Sequence, residues 1–523
     1  MREDSIFPVT RRSFAWLLAL AGLGTACKKE EATTDTAAVE TAEAASTGTP
    51  KRVADVHVHM FNANFLPIDG ILRRWVGGGA AAFLAAILKK KTDDCSKVSS
   101  LSAAQANNAL DQLEVPDDQL IEQIYRDTPP EAFADDEVTS GLSSVVEAPA
   151  RRDAILAATP AQRKVMAKPE FVASLNQAAN ERPKDLFPER GGFLQWISLM
   201  TWCERKIWAA AQAAYPSVNL YITHMMDMEN YYPPGKPNYD YPDQQVIRML
   251  NLMKSSNGRL ITFIAFDPQR ENWREIMDDA LGAGCAGVKF YPPNGYPPFD
   301  ETTSQVPPST AEFFRYCIEK DVPVFTHCTP HGFEAEGGHG KKYANPVLWR
   351  KALEQPEFRN LRLCLGHAGG EEGWFPKEGG PTPATAPFSA EVINLCKRFP
   401  NVYCEVAYLD EILTTEGQTR FQNAMRRAMQ APGEYDFGKK LMYGSDWHMI
   451  HKIGKHRQYL PSFIATFRDA EWNAIRDDVF FDNAVRWLNL GKYVQRLETE
   501  NPQALPASAI TYLRGIADSV SAT

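Results

Sequence analysis

Residues 55–59 read Asp-Val-His-Val-His and close an apolar, β-branched run that begins at Arg52. In an extended chain, residues two apart share a side, so His57 and His59 can present both imidazoles to one point. Histidine is the commonest metal ligand, which makes the pair a candidate metal site at the end of a strand. Working outward, the run at 52–57 is the first of a series. From residue 216 onward, short apolar runs recur at 218–223, 260–266, 287–291, 322–326, 361–366, 402–406 and 441–444. Near-continuous apolar strands of this length suit a parallel sheet buried on both faces. Helix-like stretches lie between them; at 273–282, Ile276, Met277, Ala280 and Leu281 fall on one side. Strands alternating with helices predict βαβ units, and a set of eight predicts an α/β fold, the (β/α)₈ TIM barrel.

A block at 66–215 interrupts this rhythm between the first and second strands. It is rich in Ala, Leu and Gln and reads as several helices, with clear patterns at 80–89 and 150–158. With it set aside, the interval from His57 to Asp446 is close to the roughly 250 residues of a typical barrel. A strand-to-helix insertion emerges beside the active-site face, which predicts a helical cap; a separate folded domain is the other reading. The barrel is expected over 51–490, with helices at 461–490. A C-terminal extension, 491–523, is expected to close the far end.

The 523 residues are 44% hydrophobic, ample for a large core, and the formal net charge of −9 provides no electrostatic reason to bind nucleic acid. No run of five or six like charges marks an interaction tail. The nine cysteines contain no CxxC pair. Cys285, Cys328, Cys364 and Cys404 sit in or beside apolar runs, where thiols behave as small buried hydrophobes. Neither a disulfide framework nor a cysteine zinc site is expected.

The N-terminus reads as an address. Arg11-Arg12 with Phe14 precedes a short apolar run from Ala15 to Ala26, too short to span a membrane. The pattern resembles a twin-arginine export signal over 1–27. Cys27, after Gly24-Thr25-Ala26, resembles the lipidated cysteine of a bacterial lipoprotein, although the expected leucine stands one place early, at Leu23. Residues 28–50 lack aromatics and read as a flexible linker. The protein is therefore expected outside the cytoplasm, periplasmic or anchored to the membrane through a lipidated Cys27.

Catalytic residues of a barrel belong at the C-terminal ends of its strands. His327 follows the fifth run, His367 the sixth, and Asp446, in Gly444-Ser445-Asp446, the eighth; Lys289 ends the fourth. A lone histidine after a strand is more often a hydrogen-bonded structural residue than a ligand. Four histidines and one aspartate at matching positions on four strands, in a chain with ten histidines, form a set. Mixed imidazole and carboxylate ligands suit zinc, and also iron or manganese. His331 and His448 lie on the following loops, where substrate-binding residues gather, although His448 also reads as an exposed loop histidine. His224 and Glu405 line the pocket or pair with neighbours. The stiff segments 231–234 and 291–298, the latter opening on Tyr291, wall the pocket or simply end strands.

This constellation resembles the amidohydrolase superfamily, and within it the amidohydrolase-related branch, which holds hydrolases and metal-dependent decarboxylases of small carboxylic acids. The stretch Asp482-Asn483-Ala484-Val485-Arg486-Trp487-Leu488 is similar to a closing helix common there. The resemblance implies His57, His59 and His327 as metal ligands. It implies Asp446 as a ligand that also accepts the proton of the attacking water. It implies His367 as ligand to a second metal or as general acid or base. Lys289 carries three readings: a carbamylated ligand bridging two ions, a cationic anchor for an anionic substrate, or a lysine paired with a core carboxylate. The expected activity is metal-dependent hydrolysis of a C–N or C–O bond in a small molecule, with one or two divalent ions. Decarboxylation and a non-catalytic binding lipoprotein are the alternatives.

Overall fold

The computed structural model describes residues 48–98, 101–335, 337–376 and 387–521. The stretch read as an export signal, with Cys27, lies outside the described residues. Eight parallel strands run β1 (Val53–Val58), β2 (Val218–His224), β3 (Leu260–Ala265), β4 (Gly287–Phe290), β5 (Val324–Thr326), β6 (Leu363–Leu365), β7 (Val402–Glu405) and β8 (Leu441–Met442), each hydrogen-bonded to the next in chain order. Backbone bonds from Val56 N–H to the Tyr443 carbonyl (3.1 Å) and from Asp446 N–H to the His57 carbonyl (2.8 Å) join the last strand to the first. The fold is a (β/α)₈ TIM barrel.

Every strand residue except Asn219 is buried, the pattern of a sheet covered on both faces. Helix Trp273–Gly282 buries Trp273, Ile276, Met277, Ala280 and Leu281 against the sheet, the stripe its 3.6-residue period sets. Inside the barrel, Phe263 and Phe325 pack on Trp487 of helix Asn483–Leu488, with ring centroids 5.3 and 6.1 Å apart. The Phe325 ring also lies 4.6 Å from the His57 ring, so this aromatic stack is the floor on which the site rests.

Several strands are shorter than their apolar runs. The sixth run ends at Leu365 because the backbone turns left-handed at His367 (φ 60°) and Ala368 (φ 46°). The eighth pairs only over Leu441–Met442 before the chain bends toward Asp446, itself at φ 59°. Left-handed backbone is uncommon for residues with a Cβ and gathers at functional sites, where it re-aims side chains. β1 also carries an irregularity: Asp55 pairs with Tyr221 and Val58 with Thr223, so one extra residue falls between them, beside His57.

Between β1 and β2 the chain forms helices, the longest being Gly78–Lys91 and Pro160–Glu181. The latter starts at a capping box, with Thr159 accepting from Gln162 N–H and a proline in the first turn. Phe187, Phe193 and Trp196 of this region cluster with Trp75 and with Phe333 of the loop after β5, seating the helices on the barrel mouth. Cysteine spacing led to the expectation of no disulfide framework, yet one bridge exists: Cys95 is bonded to Cys203, 108 residues away. The pair is far apart in sequence and meets only because the helices fold back. Cys285, Cys328, Cys364 and Cys404 are buried free thiols. At the opposite end, helices Leu490–Glu500 and Ala507–Ser521 reach the strand starts, through Tyr493 Oη on the Gly284 carbonyl (2.7 Å) and Tyr512 Oη on the Asn219 carbonyl (2.8 Å). Among the described residues no helix is long and apolar enough to cross a membrane.

Candidate active site

Asp55 organises the end of β1. Its Oδ1 accepts the backbone N–H of Ser445 (2.9 Å) and of His57 (3.2 Å), tying the His-x-His segment to the Gly-Ser-Asp turn. Burial pushes its carboxyl up to about 7, against the hydrogen bonds from Ser445. His57 and His59 then face Asp446: His57 Nε2 lies 3.5 Å and His59 Nε2 3.4 Å from Asp446 Oδ1.

The opposite ring atoms fix the tautomers, because a carbonyl can only accept. His59 Nδ1 donates to the His224 carbonyl (2.9 Å), and His224 Nε2 to the Val56 carbonyl (2.8 Å). His367 Nδ1 donates to the Ala407 carbonyl (3.0 Å), leaving Nε2 bare. His57 Nδ1 meets Glu405 Oε1 at 2.9 Å. Glu405 also accepts the backbone N–H groups of His367 (2.7 Å) and Ala407. Gly444 makes this approach feasible, since a Cβ there would collide with Glu405 Oε2 and crowd the His57 Cβ.

Burial first, then the neighbouring cations, holds His57, His224 and His327 well below the usual imidazole range; burial brings His367 to about 4. Neutral imidazoles keep a lone pair free, which is the state a metal ion requires. Burial would raise Asp446, but the hydrogen bond and charge of His59 outweigh it and hold the carboxyl below its ordinary value. Burial pushes Glu405 up to about 8, opposed by the N–H groups of His367 and Ala407.

Among the described residues, two groups of three side chains bring donor atoms within 4.8 Å of one another: His57, His59 and Asp446, and His57, His367 and Glu405. The first fits a divalent ion. Its His57 Nε2 is buried without a hydrogen-bond partner among the described residues, and the two imidazoles and the carboxylate converge. In the second, Glu405 is already committed to N–H donors, which suits an outer carboxylate that orients a ligand histidine.

The structure brings His57, His59, Lys289, His327, His367 and Asp446 to one cavity of about 330 Å³. His327 stands outside both groups of three; its Nε2 donates to the His331 carbonyl (2.7 Å), so Nδ1 is its free atom. Tyr291 lines the cavity with its hydroxyl bound to the Phe333 backbone on both sides, at 3.0 and 3.1 Å. His331 lies at the mouth, 3.5 Å from Asp185, both side chains being exposed. His448 corrects the reading of a loop histidine: it is 0% exposed, donates from Nε2 to the Phe61 carbonyl (2.9 Å), and is absent from the cavity wall. Lys289 is buried 4.3 Å from the Phe325 ring centroid and makes no ion pair within 4 Å among the described residues. Burial lowers it to about 8, with Asp446 and Glu405 opposing.

Sequence reasoning did not single out Asp55 as the tie, nor Lys452, Glu371 and Asp410, which also line the cavity. Burial brings Lys452 down to about 8, opposed by Asp446 and Asp185. Glu371 accepts the Asp410 backbone N–H at 2.7 Å; burial and the Asp410 carboxyl push it up to about 9.

Residues 242–490 match the amidohydrolase family model. The matched stretch carries Lys289, His327, His367, Glu405 and Asp446, while the His57–His59 pair precedes it. Two solved structures are similar in fold. One is an amidohydrolase from Burkholderia multivorans with bound zinc, 13% identical, with TM-score 0.37 over 54% of this chain and 87% of the other. The other is a 5-carboxyvanillate decarboxylase from Novosphingobium aromaticivorans complexed with manganese and 4-hydroxy-3-methoxy-5-nitrobenzoic acid, 14% identical, with TM-score 0.34 over 53% of this chain and 79% of the other. No curated protein matches the chain.

Proposed function

We propose that the protein is a metal-dependent hydrolase that cleaves a C–N or C–O bond, an amide, lactone or ester, in a small molecule. The observation that carries this reading is the convergence of His57 Nε2, His59 Nε2 and Asp446 Oδ1 at the end of β1 and β8, with the first of these otherwise unpartnered. The family match to residues 242–490 supports the same reading.

His57, His59 and Asp446 would hold a divalent ion, most simply zinc. When bound, such an ion acts as a Lewis acid and lowers the pKa of water from 15.7 to about 7. The rest is done by the protein. Asp446, ionised across the neutral range, takes a proton at its carboxylate from the attacking water and hands it to the leaving group. His367, neutral and with Nε2 bare, is placed to accept a hydrogen bond or a proton from substrate in the same cavity. The segment containing Asp185, Leu186 and Pro188 walls the cavity.

The test is elemental analysis of protein produced with ample zinc, manganese or iron, before and after His57→Ala with His59→Ala. The wild type should hold one or two ions per chain and the double variant at least one fewer. Protein that binds none ends the reading. Among candidate substrates, CO₂ release without C–N or C–O cleavage would replace hydrolysis by decarboxylation.

We also propose export through the Arg11-Arg12 signal. The Cys95–Cys203 bridge supports this, since disulfides persist in oxidising compartments. Equal extracytoplasmic amounts of the wild type and an Arg11→Lys, Arg12→Lys variant would refute it.

A further inference from the structure

Lys452 sits on the turn Met449–Ile453 that follows Asp446, and its side chain enters the cavity shared with the histidines. It is 5% exposed. Its Nζ lies 4.5 Å from the ring centroid of Tyr408, 5.2 Å from Phe187 and 5.7 Å from Phe333. These rings come from the loop after β7, the helical segment between β1 and β2, and the loop after β5. Among the described residues the ammonium makes neither a hydrogen bond nor an ion pair. The carboxylates whose charge reaches it are engaged elsewhere: Asp446 faces His57 and His59, and Asp185 pairs with His331 at the mouth.

An ammonium taken out of water without a counter-charge is costly, and aromatic faces compensate it only in part. A protein tolerates such a group where an anion arrives from outside. The wall of the cavity it enters carries apolar side chains, Leu186, Met226, Met228 and Met449, as well as the carboxyl groups of Glu371, Glu372 and Asp410. Gly192 of helix Arg190–Leu199 lies against the Lys452 backbone, where a Cβ would collide with its carbonyl, so the helical segment fixes the lysine in place.

From this geometry we infer that Lys452 is a specificity-determining residue: it anchors a carboxylate on the substrate, away from the bond that reacts, while the neighbouring apolar wall holds a compact hydrocarbon or aromatic body. This rests on the hydrolase reading for the word substrate, but the anion site itself can be tested without turnover. Binding of two matched probes, 3-phenylpropanoate and 3-phenylpropanamide, is measured by calorimetry at about pH 7 on the metal-loaded protein. Metal content is assayed separately on each sample. The wild type should bind the carboxylate at least about 10-fold more tightly than the amide, the size of a charge-assisted contact. Lys452→Met should remove that preference and leave amide binding and metal content unchanged, and Lys452→Arg should retain most of it. Lys452→Gln is the second variant should the methionine variant not fold. A wild type indifferent to the charge, or a neutral variant that keeps the preference, overturns the anchor. A Lys452-dependent preference in protein that holds no metal would leave the anchor standing and sink only the hydrolase reading.

Discussion

Glu405 Oε1 meets His57 Nδ1 at 2.9 Å, and this bond turns the opposite ring nitrogen of His57 toward Asp446, 3.5 Å away. Both residues are fully buried, and the carboxylate is gripped as well by the N–H groups of His367 and Ala407. One side chain of β7 therefore sets the orientation of the His57 ring on β1 and the start of the left-handed turn after β6.

Glu405→Gln keeps the shape but offers an N–H₂ where an acceptor is needed. Loss of such an outer partner costs about 10–100-fold in metal affinity. Competition with a chelator should show that weakening, with the fold retained by circular dichroism. Unchanged affinity would reduce Glu405 to a packing role.

The pair at 57 and 59 was legible because a strand has a period of two and the residues sit where an apolar run stops. The same logic placed Lys289, His327, His367 and Asp446, each at or just past a strand end. Lys452 carried no such signal. It lies on a short turn six residues after Asp446, and its aromatic neighbours, Phe187, Phe333 and Tyr408, are far apart in the chain. Glu371 and Asp410 likewise meet across the loops after β6 and β7. His448 was misplaced because a loop position says nothing about which way a side chain turns, and here it turns inward onto Phe61. The apolar runs overstated strand lengths because residues such as Leu361 and Val322 are buried without belonging to the ladder.

Cys95→Ser tests the bridge to Cys203, which closes a long loop in the helical segment. Removing such a crosslink costs about 2–4 kcal/mol. The variant should melt at lower temperature than the wild type, and reductant should lower the wild type alone. Identical melting with and without reductant would show the bridge to be dispensable.

Asp446→Asn addresses the proton acceptor. The backbone there is left-handed, a conformation asparagine tolerates as readily as aspartate, so the substitution adds no strain. Asparagine can still offer an oxygen to a metal but accepts no proton at neutral pH. Turnover of a substrate found among lactones, N-acyl amino acids, dipeptides or small aromatic acids should fall by about 10²–10⁴-fold, with most metal retained. A rate near wild type would place the base elsewhere.

Glu371 and Asp410 share the cavity wall as a carboxyl pair, and their linkage to stability has a definite sign. Burial and the Asp410 carboxyl raise Glu371 from its ordinary 4.5 to about 9, so the folded protein holds a proton that the unfolded chain has already lost. Stability from this group is fully present below about pH 4.5 and declines as pH rises toward about 9. Glu371→Gln mimics the protonated form: its oxygen can still accept the Asp410 backbone N–H, and its N–H₂ can donate to the Asp410 carboxylate. Melting curves of the two proteins should therefore nearly coincide near pH 4.5. Near pH 8.5 the glutamine variant should be more stable, by on the order of 1 kcal/mol or more. A difference that is constant with pH would mean that Glu371 stays ionised beside Asp410, balanced by a cation from the cavity.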